Sequence, residues 1–116
     1  MDDKGHVCLT DFGLSKQVNP ENQFTKTMCG TPEYLRKATC HVLLIFAAPE
    51  VLLGKEHGKA VDWWSYGVLL YELTIGMPPF MAKNHRDLYR KIQYAPIKFP
   101  KHTSEALKDL ILLVSH

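Results

Sequence analysis

Hydrophobic residues recur at helical spacing in three stretches of the second half of the chain. Residues 62–75 (DWWSYGVLLYELTI) are apolar on nearly every face, with Asp62 at the start and Gly76 just beyond the end, which predicts a helix surrounded by other elements. Residues 84–94 and 104–114 predict two amphipathic helices. Their apolar positions are Leu88, Tyr89, Ile92, Leu107, Leu110, Ile111 and Val114.

The first third of the chain has a different pattern. Val7 and Leu9 alternate with other residues after the turn-forming DDKG, which predicts a short, half-buried β-strand after a hairpin turn. No strand precedes that turn, so we expect the chain to begin within a structural unit. Residues 11–35 lack periodicity and predict a long loop. Further on, PEVLL predicts a short helix with Pro49 at its first position.

Composition narrows the protein class only slightly. The 116 residues suffice for one domain, and 46% hydrophobic with 22% charged residues is typical of a globular protein. The net charge of +2 does not favour a nucleic-acid or membrane partner, and the cysteines show no metal or disulfide spacing. The longest apolar run, residues 42–48, is shorter than the roughly 20 residues of a membrane span. We expect a soluble cytoplasmic protein.

Several short motifs follow one another in order. Asp11-Phe12-Gly13 comes directly after the predicted strand, where a carboxylate suits Mg²⁺ beside nucleotide phosphates, although an isolated DFG is typical of ordinary turns as well. The later motifs are GTPEYL (30–35), APE (48–50), DWWSYG (62–67) and MPPF (77–80). With this series the chain resembles the eukaryotic protein Ser/Thr kinases, specifically the AGC group that includes protein kinase B and the ribosomal-protein kinases. The resemblance covers residues 1 to about 111, except 36–47.

The resemblance implies a fold class and a reaction. The fold would be mainly α, a partial kinase C-terminal lobe with a short β element at the N-terminus. Residues 1–35 would form the DFG strand and activation segment, 36–47 an insert, and 48–116 the APE segment and helical subdomain. The parent reaction would be a transferase reaction that uses ATP and Mg²⁺ to phosphorylate Ser or Thr in basic protein substrates. An upstream activating kinase would be a second partner.

The resemblance also assigns roles around the nucleotide and the loop. Asp11 matches the Mg²⁺ ligand, and Phe12 and Gly13 complete the cofactor-binding motif. Thr27 matches the activation-loop phosphorylation site, where a phosphate would carry nearly two negative charges and order the loop. Lys16 matches one of the basic residues that contact this phosphate.

Substrate recognition is assigned in the same way. Thr31 matches the threonine that faces the catalytic machinery, while Met28, Pro32 and Leu35 match the pocket for the residue after the phosphoacceptor. Glu72 matches an acidic residue that binds arginines of basic substrates, with a solvated helix glutamate as the alternative.

Two further carboxylates match structural positions, and a third is a decoy. Glu50 matches the anchor of the activation segment, and Asp62 matches an aspartate that braces the catalytic loop. His85-Arg86-Asp87-Leu88 spells the catalytic-loop signature, but it follows DFG instead of preceding it, and Ile92 stands where that signature requires asparagine. The resemblance instead places Asp87 on the amphipathic helix after MPPF and outside the catalytic machinery.

The twelve residues 36–47 leave two explanations open. They could be translated from a short retained intron in a partial or mis-spliced product, or they could be a genuine lineage-specific insertion; sequencing the dominant transcript distinguishes them. Their VLLIFA end is expected to form an apolar bulge beside the docking groove. The 116 residues contain neither a glycine-rich loop nor a catalytic base that fits the pattern, so we expect them to be inactive and marginally stable alone. A non-catalytic binding or regulatory module is the alternative function.

Overall fold

The computed structural model describes residues 3–10, 12–17, 24 and 44–115. The described residues are mainly helical, as predicted. They form a 3₁₀ turn (Phe12–Leu14) and the helices α1 (Pro49–Leu52), α2 (Ala60–Ile75), α3 (His85–Tyr94) and α4 (Glu105–Val114). A further helical turn at residues 44–46 precedes α1. No helix within the described ranges is both long and apolar enough to cross a membrane.

The short β-strand predicted near the amino end is absent. Residues 5–10 have no regular secondary structure, and the side chains of Val7 and Leu9 are 85% and 87% exposed. An isolated strand leaves its backbone donors and acceptors without a ladder, and it has no layer on which to bury one face. The alternating pattern was therefore insufficient to predict a strand at this place.

Helix α2 is bounded by local signals close to the predicted ones. It begins at Ala60, slightly before the predicted Asp62, and its N-cap Lys59 makes no side-chain capping bond. It ends at Ile75 and is followed by the C-cap Gly76, whose φ of 87° is the left-handed conformation that glycine adopts without steric cost. The Gly76 N–H donates to the carbonyl of Glu72 at 2.8 Å, which closes the last turn.

The expectation that α2 is buried on every face is wrong for the described residues. One side carries the buried Gly67, Val68 and Tyr71. The opposite side is exposed to solvent, because the described neighbours of α2 cover only one side of it. We call this side the outer face of α2; its exposed apolar residues are Trp63, Tyr66, Leu69 and Leu73.

The hydrophobic core lies between α2, α3 and the chain that enters α1. Val68 of α2 packs in one cluster with Phe80 and with Leu88 of α3, which is fully buried. Leu44 and Ile45 belong to the same cluster and are 2% and 8% exposed. The apolar bulge expected for the end of the 36–47 stretch is therefore wrong at these two residues, because the core offers them a surface that the sequence pattern does not reveal.

Side-chain caps start the two amphipathic helices. Asn84 Oδ1 accepts a hydrogen bond from the Asp87 N–H at 2.9 Å, and Ser104 Oγ accepts one from the Leu107 N–H at 3.3 Å. Each satisfies a backbone donor that would otherwise lack an intrahelical partner. Both helices were predicted, and the structure confirms them with starts one residue after these caps.

Helix α4 packs against α2 at a glycine. A Cβ added to Gly67 would overlap Ser115 Oγ and lie 2.9 Å from Val114 Cγ2, so only glycine allows the two helices to come this close. Of the four apolar positions predicted for the inner side of α4, Ile111 is 1% exposed but Leu110 is 44% exposed. The buried stripe of α4 is therefore narrower than its hydrophobic pattern indicates.

Candidate functional site

The turn that follows Asp11 is closed by a serine. Both the backbone N–H and the hydroxyl of Ser15 donate to the Phe12 carbonyl oxygen, at 3.0 and 2.6 Å. The Phe12 side chain is 66% exposed, and Gly13 and Lys16 are exposed as well. The motif thus forms a defined 3₁₀ turn, but no packing among the described residues buries its aromatic ring.

Half of the sequence-predicted site residues lie outside the described part of the chain. They are Asp11, Thr27, Met28, Thr31, Pro32 and Leu35. Their roles remain those that the motif resemblance implies.

Glu50 lies in the first turn of α1. The helix starts with Pro49 at its first position after the buried Ala48, and the N–H groups of Val51 and Leu52 donate to the Ala48 carbonyl. The Glu50 carbonyl oxygen accepts from the Lys55 N–H at 2.9 Å, and its side chain is half-buried. The helix dipole favours a carboxylate in the first turn, so Glu50 is well placed to stabilise the start of α1.

Asp62 and Glu72 both lie on α2 but do not form one site. Asp62 is in the first turn and exposed, while Glu72 is half-buried in the last part of the helix. Ten residues of α-helix separate them by about 15 Å along the axis. A single small group therefore cannot contact both carboxylates, which agrees with their separate assignments.

The part of α2 that carries Glu72 is fastened by Tyr71. The Tyr71 hydroxyl donates to the Lys98 carbonyl oxygen at 2.6 Å, and its ring contacts Phe99 with a centroid separation of 5.6 Å. Burial raises the pKa of Tyr71 above its usual 10.0, because the phenolate would lose its hydration. The hydroxyl therefore stays protonated at neutral pH and keeps donating to Lys98.

The H-R-D-L stretch lies on a helix, as predicted. Asp87 is in the first turn of α3, where Asn84 Nδ2 donates to its Oδ2 at 2.9 Å and Arg90 Nη2 lies 3.7 Å from its Oδ1. Leu88 of the same stretch is in the core. These contacts explain Asp87 as a residue that supports a helix start.

The described residues contain no ready-made metal centre. No group of three or more His, Cys, Asp or Glu within them lies where it could hold a metal ion. Mg²⁺ would therefore need Asp11 and other ligands from outside the described residues, and the described residues alone do not fit an Mg-ATP site.

Comparison with known proteins decides the family. Residues 1–114 match the family model described as "Protein kinase domain". The chain belongs to the protein kinase family. This kinase chain is 47% identical over 111 residues to "Protein kinase 2" of Dictyostelium discoideum, and 46% identical over 111 residues to "Serine/threonine-protein kinase gad8" of Schizosaccharomyces pombe. It is 44% identical over 111 residues to the human "cAMP-dependent protein kinase catalytic subunit PRKX".

The matches cover almost all of the kinase chain but a small part of each relative. Each alignment includes 96% of this chain, yet only 20%, 17% and 27% of the three relatives in the order given. The kinase chain thus spans about a fifth of the length of these relatives.

One residue that positions the motif segments was missed in the sequence of the kinase chain. Ser65 Oγ lies 2.9 Å from both the Phe46 and the Val61 carbonyl oxygens, so its proton can be donated to the chain before APE or to its own helix. The signal was a serine within an apolar helix, a place where its hydroxyl commonly bonds a carbonyl one turn back. Its long-range partner could not be inferred from that pattern.

Proposed function

We propose that this chain supplies the activation segment and the helical subdomain of an AGC-type protein Ser/Thr kinase. The parent enzyme would transfer the γ-phosphate of ATP to Ser or Thr of basic protein substrates. The observation that carries this proposal is the match of residues 1–114 to the protein kinase domain, together with 44–47% identity to three named kinases. The order of the DFG, APE and DWWSYG motifs supports it.

The proposed nucleotide and loop roles rest on motif position. Asp11 would ligate Mg²⁺, with Phe12 and Gly13 completing the motif, and Thr27 would receive a phosphate from an upstream activating kinase. Lys16 would then contact that phosphate. The exposed positions of Gly13 and Lys16 suit groups that meet a ligand or a phosphate.

The proposed substrate roles combine loop and helix residues. Thr31 would face the reacting groups, and Met28, Pro32 and Leu35 would receive the residue after the phosphoacceptor. Glu72 would bind an arginine of the substrate; its half-buried position on a segment fixed by Tyr71 supports a preorganised carboxylate. Glu50 and Asp62 would have structural roles in α1 and α2.

We expect the isolated 116 residues to transfer no phosphate. Phosphoryl transfer requires several positioned groups around the nucleotide, and only one Mg²⁺ ligand can be assigned in this chain. The first test incubates the purified chain with Mg²⁺, labelled ATP and an arginine-rich peptide. Label in the peptide above the level of a chain-free control would contradict the expected inactivity.

A second test addresses the substrate role of Glu72. Fluorescence anisotropy of a labelled arginine-rich peptide should show binding that the Glu72→Gln substitution weakens roughly 3- to 10-fold, since it removes a charge but keeps the side-chain shape. Glu105→Gln is the matched control because Glu105 is exposed and lies on α4. Equal effects of both substitutions would refute a specific role of Glu72.

The outer face of α2 favours a second candidate function, a non-catalytic module that binds a protein partner. Trp63 and Tyr66 meet there edge to face with centroids 6.1 Å apart, and Leu73 is 75% exposed. Binding of a partner by a chain that does not bind Mg-ATP would support the module over the catalytic role.

A further inference from the structure

The basic residues of the chain are unevenly distributed. Residues 83–101 contain six lysines and arginines and one acidic residue, hence a net charge of +5, although the whole chain carries only +2. The remaining residues therefore carry −3. The six cations are all exposed; they are Lys83, Arg86, Arg90, Lys91, Lys98 and Lys101. Exposed positive charge is thus concentrated on α3 and on the segments that flank it.

Two of these cations and a tyrosine form a line along α3. Arg86, Arg90 and Tyr94 are spaced four residues apart, so they lie on one side of the helix and extend about 12 Å along it. The opposite side of the helix carries Leu88 and Ile92, which are 0% and 3% exposed and pack in the core. The line therefore points away from the core, and we call its three residues the outer face of α3.

The side chains of the outer face of α3 are accessible to a partner. The Arg90 side chain is 76% exposed, and its Nη2 lies 3.7 Å from Asp87 Oδ1, a pair that solvent screens. Tyr94 is 79% exposed. The side chains of Arg86 and Tyr94 make no hydrogen bond, ion pair or ring contact with other described residues. Arginine and tyrosine are also residue types in which protein interfaces are enriched.

The chemistry of the outer face of α3 favours an acidic protein segment. Guanidinium groups bind carboxylates through two parallel hydrogen bonds. A second helix beside α3 repeats at the same interval of about 5.4 Å per turn, so two of its carboxylates one turn apart can meet both arginines. An apolar side chain one turn further would pack on the Tyr94 ring. A membrane or a nucleic acid is less suited, because Asp87, 47% exposed beside Arg90, would repel its phosphates.

We propose that the outer face of α3 binds an acidic helical segment of a partner protein, with two carboxylates on Arg86 and Arg90 and an apolar side chain on Tyr94. This goes beyond the proposed function, in which the substrate is basic and meets Glu72 on α2. The two surfaces select partners of opposite charge, so the same peptide does not satisfy both.

Fluorescence anisotropy of a labelled helical peptide with the full chain tests the proposal. The peptide carries two glutamates one turn apart and a leucine one turn further, and its control has the same composition with the glutamates on opposite sides of the helix. The first peptide should bind at least about 3-fold more tightly, because only its glutamates reach both arginines. Equal affinities, or no binding of either peptide, would overturn the proposal.

Matched double substitutions locate the binding site. Arg86→Gln with Arg90→Gln should weaken binding of the first peptide about 3- to 10-fold. Lys55→Gln with Lys59→Gln removes the same charge from exposed residues between α1 and α2 and should change it by less than about 2-fold. Equal losses would show that only net charge matters and would contradict the proposal. If either variant fails to fold by circular dichroism, the comparison of the two peptides on the unmodified chain decides.

Tyr94 separates a shaped site from charge attraction alone. Tyr94→Ala should weaken binding about 3-fold, whereas Tyr94→Phe keeps the ring and should retain the affinity. No effect of Tyr94→Ala would overturn the proposal. So would displacement of the labelled peptide by phosphatidylserine vesicles or double-stranded DNA at lower concentrations of negative charge than the unlabelled peptide needs. No measurement requires ATP, Mg²⁺ or a basic peptide, so this surface can fail while the proposed function holds, and the converse is equally true.

Discussion

Residues 3–10 and 12–17 differ from residues 44–115 in how far their apolar side chains are buried. In the first region Val7, Leu9 and Phe12 are all more than 60% exposed, although Phe12 belongs to the motif that points most directly to nucleotide chemistry. The hydrophobic core of the described residues lies in the second region and includes Leu88, which belongs to no functional motif of the family. The motifs thus differ in what they do for the described fold: Phe12 of DFG is exposed, whereas Phe80 of MPPF lies in the core and Gly67 of DWWSYG lies at the contact of α2 with α4.

The largest expected loss of stability follows from a substitution at the centre of the packed region. Leu88→Ala should reduce the free energy of unfolding by about 2–5 kcal/mol, because Leu88 is fully buried and its loss leaves a cavity. Leu9→Ala removes the same atoms from an 87% exposed site and should change it by less than about 0.5 kcal/mol. Urea unfolding followed by circular dichroism measures both. Similar losses would mean that the two regions do not differ as described.

A second prediction tests how closely α4 packs against α2 within the packed region. Gly67→Ala improves helix propensity by about 1 kcal/mol, but the added Cβ meets Ser115 and Val114, and such overpacking costs about 1–3 kcal/mol. We expect a net loss of about 1 kcal/mol in the same urea experiment. Adding Ser115→Ala should recover part of it, since that hydroxyl is buried without a hydrogen-bond partner among the described residues. A stabilised Gly67→Ala variant would show that α4 moves away freely.

Tyr71 allows a test by pH. Tyr71→Phe should cost about 1 kcal/mol at pH 7, because the Lys98 carbonyl loses its donor. Burial raises the pKa of Tyr71 above 10.0, so the neutral phenol is favoured in the folded state; this contribution is complete below pH 10 and is lost as pH rises through the raised value. Thermal midpoints between pH 8 and about 11 should fall more for the parent chain than for Tyr71→Phe. Tyr94→Phe, at a 79% exposed site, should leave the parent's fall unchanged.

The smallest expected change in stability follows from removing an ion pair on the surface of the packed region. Lys108 Nζ lies 2.7 Å from Glu105 Oε1, but the glutamate side chain is 83% exposed. Solvent and salt screen such a pair, so Glu105→Gln should change the free energy of unfolding by no more than about 0.5 kcal/mol. Urea unfolding at low and at high salt measures it. A loss above about 1 kcal/mol would mean that surface charges stabilise this region as much as its core contacts do.

Apolar spacing predicted α3 and α4, and the structure shows that local signals set the helix boundaries. Asn84 before α3, Ser104 before α4 and Gly76 after α2 act through their own backbone neighbours, so each boundary is encoded within a few residues. These elements needed no knowledge of the rest of the fold.

Features that depend on distant partners could not be predicted in this way. The strand expected around Val7 needed a partner strand, and the burial of Leu44 needed the surface formed by α2 and α3. For the candidate site, the helical positions of Glu50 and Glu72 followed from the sequence, but the long-range bond of Ser65 did not. The periodicity of a segment can be read from that segment alone, whereas its burial depends on the elements that pack against it.

The two adjacent tryptophans of α2 lie in different environments, which their fluorescence should distinguish. Trp64 stacks on Phe80 with the rings almost parallel and 6.2 Å apart, and its indole N–H is buried without a partner among the described residues, while Trp63 is 58% exposed. One indole therefore emits from a partly buried environment against the core and the other from a solvent-exposed one. Quenching of the exposed fluorophore would leave a signal dominated by Trp64, which reports on packing against the core.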